Sequence, residues 1–180
     1  MKTKSRLFLI WAVYAAVLVF GTGVYKGQWL SIALIFTGSL FGMLLPKLIC
    51  VVSELMLSQK PAVNGSFFTS LLSMISQDSH SLIPTTRTGQ LVYSYPFLFA
   101  FGLVSLYIVT SSSGWFGKAL VLGMGLRLMI DLFMSNKDKA VLQQRWFSAF
   151  PAKLSHTELN IFVYGSIGIW VLLTILALKA

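Results

Sequence analysis

The sequence predicts an all-α fold: a polytopic membrane helix bundle with about five transmembrane helices and two short interfacial helices. Three observations predict it. Of the 180 residues, 56% are hydrophobic and only 11% are charged, whereas a soluble domain carries about 25% charged residues. Several apolar stretches reach the roughly 17 to 25 residues that a helix needs to cross a bilayer. The Lys and Arg residues fall mostly on one side of the topology that those stretches imply. The whole chain, residues 1–180, reads as a single transmembrane domain with no separate soluble part.

The first span is expected at about 7–25. Its start, "MKTKSRLFLIWAVYAAVLVF", has the basic and apolar regions of a signal peptide. "GTGVYKGQW" follows where a small-x-small cleavage site would stand, so the segment reads as an uncleaved first helix. The second span is expected at about 30–57. Gly38 and Gly42 form a Gly-x-x-x-Gly face suited to close helix packing. Pro46, which lacks an N–H, predicts a kink there.

Residues 58–90 form the first long connection. Ser66 is placed to cap a short interfacial helix with Phe68, Leu71, Leu72 and Ile75 on one face. The third span is expected at about 91–110, with Pro96 as a kink near its start, and the fourth at about 118–134. "NKDKAVLQQRWFSAF" then predicts a second surface helix presenting Leu142, Trp146, Phe147 and Phe150. Ser155 and Glu158 have capping-box spacing, which starts the fifth span, about 156–178, at His156.

With the N-terminus inside, ten basic residues face the cytoplasm: Lys2, Lys4, Arg6, Lys47, Lys60, Arg87, Lys137, Lys139, Arg145 and Lys153. Lys26, Lys118 and Lys179 face out, and only Arg127 lies within a span. The chain is therefore expected in the cell (inner) membrane as a multi-pass protein, N-terminus cytoplasmic and C-terminus outside. The formal net charge of +9 follows from this bias, so no nucleic acid partner is expected. The expected partners are the lipid bilayer and other membrane protein subunits. Cys50 is the single cysteine, which excludes a disulfide framework within the chain and a Cys-based metal site. It reads as a small buried side chain.

"LGMGLRLMIDLFM" puts Arg127 and Asp131 inside an otherwise apolar segment. At i and i+4 they share a helical face and can pair. Ionisable groups within a span face the bundle interior or water, because lipid does not solvate them. One reading is a structural ion pair. The other uses Glu54, His80, Asp131 and His156, which all fall near the cytoplasmic face on this topology. Two His and two carboxylates are the ingredients of a divalent metal site or of general acid–base chemistry. No other cofactor is expected.

Three short motifs stand in order along the chain: "GMLLPKLI", "DSHS" and "GMGLRLMID". In this order they resemble the YdjM-like family of bacterial inner-membrane proteins, described as metal-dependent hydrolases. In that family a span ends in Pro-Asp-x-Asp, a loop motif ends in Thr-His-Ser, and a later span carries Gly-x-x-x-His-x-x-x-Asp. His80, Ser81, Gly123 and Asp131 match, while Lys47 replaces an Asp and Arg127 replaces the His. The resemblance covers about residues 35–134. It implies a metal site whose ligands have been exchanged for cations. Arg127 would then pair with Asp131 or hold a phosphate-like anion. Lipid phosphatases of the Pro-Ser-Gly-His type share only "SHS" and the "RLMID" pattern, and most of their motifs are missing here.

Three functional readings follow. The leading one is a non-catalytic scaffold or complex subunit with a structural Arg127–Asp131 pair. The second is a membrane-embedded metal-dependent hydrolase at the cytoplasmic interface using His80, Asp131 and Glu54. The third is a small transporter or anionic-lipid-binding protein in which Arg127 receives the headgroup.

Overall fold

Glycines set the closest contact in the molecule. In a computed structural model, which describes residues 3–23, 29–57, 87–111, 114–148 and 154–179, helix α2 (Trp29–Leu57) lies directly on helix α5 (Trp115–Ser135). A Cβ on Gly42 would fall on the carbonyl of Leu120, and one on Gly123 would fall on the carbonyl of Ser39. A Cβ on Gly38 would stand 2.7 Å from the Phe116 carbonyl. With no side chain at these positions the two backbones touch, as small-residue faces allow. The Gly38–Gly42 face thus meets a third glycine, Gly123, on the partner helix.

The described residues form seven helices and no strand: α1 (Thr3–Gly21), α2, α3 (Arg87–Val92), α4 (Tyr95–Thr110), α5, α6 (Lys139–Trp146) and α7 (His156–Lys179). Helix α5 is central and buried on almost every side, as a helix apolar all round must be. Helices α1, α2, α4 and α7 surround it. One core cluster, at the C-terminal end of α5, joins Cys50, Tyr93, Leu128, Leu132, Trp146 and Val163. A second, toward its N-terminal end, joins Tyr14, Leu18, Ile35, Val109, Leu122 and Leu173. Polar links also join α1 to its neighbours. Trp11 Nε1 donates to Ser39 Oγ at 3.2 Å, and the Tyr14 hydroxyl meets Thr174 Oγ1 at 3.2 Å.

Local chemistry explains the helix ends. The capping box forms: Ser155 N–H donates to Glu158 Oε2 at 2.7 Å, and Glu158 N–H to Ser155 Oγ at 3.3 Å. Helix α1 stops at Gly21, short of the expected Tyr25, because Gly23 turns into the left-handed region at φ 68°. Helix α2 runs through Pro46 to Leu57. Pro96 does not kink a helix begun at Leu91; instead it sits in the first turn of α4, whose N-cap is Ser94. A proline there removes no helical hydrogen bond, so it favours a start over a bend.

The second surface helix is also corrected. Leu142, Trp146 and Phe147 do share a buried face, but it packs into the core beside Tyr93 and Leu159 rather than onto a membrane. The first interfacial helix, around Phe68 to Ile75, lies outside the described residues.

Two described helical segments are long and apolar enough to cross a membrane, Trp29–Cys50 and His156–Lys179. Leu7–Gly21 and Tyr95–Thr110 are apolar but shorter. Large apolar side chains remain exposed on the outer helices, among them Phe20, Phe41, Phe99, Tyr107, Ile161 and Ile169.

Candidate functional site

The fold carries Arg127 and Asp131 to the middle of the bundle. Both lie on the buried helix α5 and each is only 7% exposed. Arg127 Nε donates to Asp131 Oδ2 at 2.9 Å, the i,i+4 ion pair that the spacing predicts. The same oxygen accepts a hydrogen bond from the Tyr93 hydroxyl at 3.1 Å. Tyr93 is 1% exposed. It comes from the turn just after α3, so the carboxylate ties two parts of the chain together.

A second polar layer supports the first. Ser135 Oγ donates to the Asp131 backbone carbonyl at 2.8 Å and accepts from Arg145 Nη1 at 3.3 Å. The Arg145 guanidinium lies 5.6 Å from the centre of the Tyr93 ring, a cation–π distance. Trp146 meets the Tyr93 ring edge-on with centroids 5.7 Å apart. Tyr93 is thus held by aromatic, cationic and carboxylate contacts together.

The sequence-predicted candidates do not all meet. Asp131 and Arg127 are joined. His156 is exposed in the first turn of α7, an environment unlike the buried carboxylate. Glu54 lies on the last turns of α2, but its side chain is outside the described part, and His80 lies outside the described residues. Among the described residues no three His, Cys, Asp or Glu side chains gather as a metal-ligand group.

The donor set at Asp131 does not suit a divalent cation. Asp131 Oδ2 is already held by a guanidinium nitrogen and a phenol, and the guanidinium charge beside the carboxylate opposes a divalent cation in a low-dielectric interior. Nor is Arg127 placed to receive a headgroup through a guanidinium without a counter-charge, since a carboxylate already lies against it. What the arrangement can do is neutralise two buried charges and fix the turn between α3 and α4 against α5.

Tyr93, Ser135 and Arg145 were not singled out in the sequence. Tyr93 lies 38 positions from Asp131, and nothing local in "LVYSYP" marks it as a partner. Tyr93→Phe is expected to lower stability by about 2 kcal/mol, the scale of a hydrogen bond to a charged acceptor. Thermal unfolding in detergent measures it, and an unchanged midpoint would remove Tyr93 from the network.

Comparison of the chain with known protein families, characterised proteins and solved structures gives no match.

Proposed function

We propose that this chain is a non-catalytic polytopic protein of the inner membrane, a scaffold or a subunit of a larger membrane complex. One observation carries the reading: Asp131, the central candidate acid and metal ligand, is engaged by Arg127 and Tyr93 inside the core. A carboxylate neutralised in this way fastens helices rather than activating water or binding a cation.

In this reading α1, α2, α4, α5 and α7 make five crossings, with the N-terminus cytoplasmic and the C-terminus outside. The exposed apolar side chains support it. Phe20, Phe99 and Ile161 are 69%, 70% and 67% exposed. In water so much apolar surface would drive association, whereas lipid solvates it. The charged helix α5 crosses in the centre, shielded by the others, where an ion pair meets protein rather than hydrocarbon. The bias of Lys and Arg toward one side of this topology supports the orientation.

Elemental analysis of the detergent-purified protein, beside His80→Ala, tests the reading. The expected result is no stoichiometric zinc, manganese or similar metal in either protein. Metal present in the parent and lost in His80→Ala would replace the scaffold with the hydrolase reading.

A further inference from the structure

We infer that the bundle is built for a hydrocarbon layer thinner than that of an ordinary bilayer, so that the lipid partner of its α4 face is a phospholipid with short acyl chains. The inference rests on the membrane-spanning reading above and adds which bilayer the bundle fits.

Helix α4 sets the limit. Tyr95–Thr110 is 16 residues long, about 24 Å of helix, whereas a typical hydrocarbon core is about 30 Å thick. Both ends of this helix are fixed. Ser94 caps its start, accepting from Phe97 N–H, and the extended backbone of Ser111 ends it. Phe99, Leu103 and Tyr107 are exposed along its outer side, so α4 meets the acyl chains directly. A helix longer than the layer can tilt, as α2 and α7 can, but a short helix cannot stretch.

Helix α5 gives the same measure independently. The start of α4 stands level with Asp131, because Tyr93, one residue before the Ser94 cap, donates to Asp131 Oδ2 at 3.1 Å. Its end stands near Lys118, because Val109 shares a buried cluster with Ala119 and Leu122. About 20 Å of helix separates Lys118 from Asp131. Charge therefore bounds the apolar layer on both sides. The Arg127–Asp131 pair and Arg145 mark its inner edge. Lys118, over the Trp115 ring, marks its outer edge. Lys and Trp are side chains that gather at such a boundary. The apolar run of α1, Leu7–Gly21, is short as well, about 22 Å.

A bilayer of ordinary thickness has to thin by about 6 Å beside α4. The cost of that mismatch grows with each added ångström of acyl chain. Short chains remove it without moving any helix.

The test reconstitutes the full-length protein into vesicles of dimyristoleoyl, dipalmitoleoyl, dioleoyl or dierucoyl phosphatidylcholine, in order of increasing chain length. Flotation measures whether the protein is in the membrane, and circular dichroism in the vesicles gives its melting midpoint. The expected result is flotation with the vesicles and a midpoint highest in one of the two shorter lipids, lower by on the order of 5 °C or more in dierucoyl. A midpoint that is flat across the series, or highest in dioleoyl or dierucoyl, in protein that floats would overturn the inference and leave the membrane reading standing. Protein that floats with none of the vesicles would overturn both.

Discussion

Gly42→Ala and Gly123→Ala are each expected to cost about 3 kcal/mol or more, at the upper end of what an added methyl does in a packed interior. In most cores a neighbouring side chain can rotate away. Here the neighbour is backbone: the Leu120 carbonyl for Gly42 and the Ser39 carbonyl for Gly123. Only separation of α2 from α5 relieves the clash, and that opens contacts along both helices. Gly102 and Gly165 provide controls, because a Cβ on either meets nothing within 4 Å. Gly102→Ala and Gly165→Ala are expected to be neutral or slightly stabilising, since alanine is the better helix former. The fraction of protein remaining monodisperse after heating in detergent distinguishes the two pairs. If all four variants melt with the parent, the backbone contact between α2 and α5 is not what holds them.

Asp131→Asn is the second large effect. It leaves the buried Arg127 without its counter-charge, a change that typically costs about 3 to 5 kcal/mol. The amide can still accept from Tyr93, so the loss reports mainly the charge. The expected phenotype is a lower melting midpoint and poorer recovery from the membrane. A variant that expresses and melts like the parent would refute a structural pair.

What was legible in the sequence was mostly local. The Ser155–Glu158 box is four consecutive residues whose own backbone completes it. The Arg127–Asp131 pair is set by helical geometry alone, one turn apart. Gly38 and Gly42 announced a packing face, but not that it would meet α5. Gly123, which the family resemblance places in a motif beside a metal ligand, admits the Ser39 backbone. That role belongs to the pairing of helices and could not be read from either helix by itself.

The misread elements share a cause. Periodicity names the face of a helix but not what covers it. Leu142, Trp146 and Phe147 share one face, as their spacing predicts, and the bundle itself covers that face. Pro96 looked like a kink because apolar residues precede it. The Ser94 cap, with its hydroxyl accepting from Phe97 N–H at 3.5 Å, makes it a helix start. Tyr93 was not legible at all, since its meaning depends on a carboxylate from a distant helix.

The claim that Arg127 and Asp131 fasten the bundle rather than form a site is tested most directly by a double-mutant cycle. Thermal unfolding would be measured for the parent, Arg127→Met, Asp131→Asn and the combined variant. The account predicts that each single change costs more than the double, because each leaves one buried charge without its partner while the double leaves neither. Singles that melt like the parent, or a double whose loss equals the sum of the singles, would contradict it.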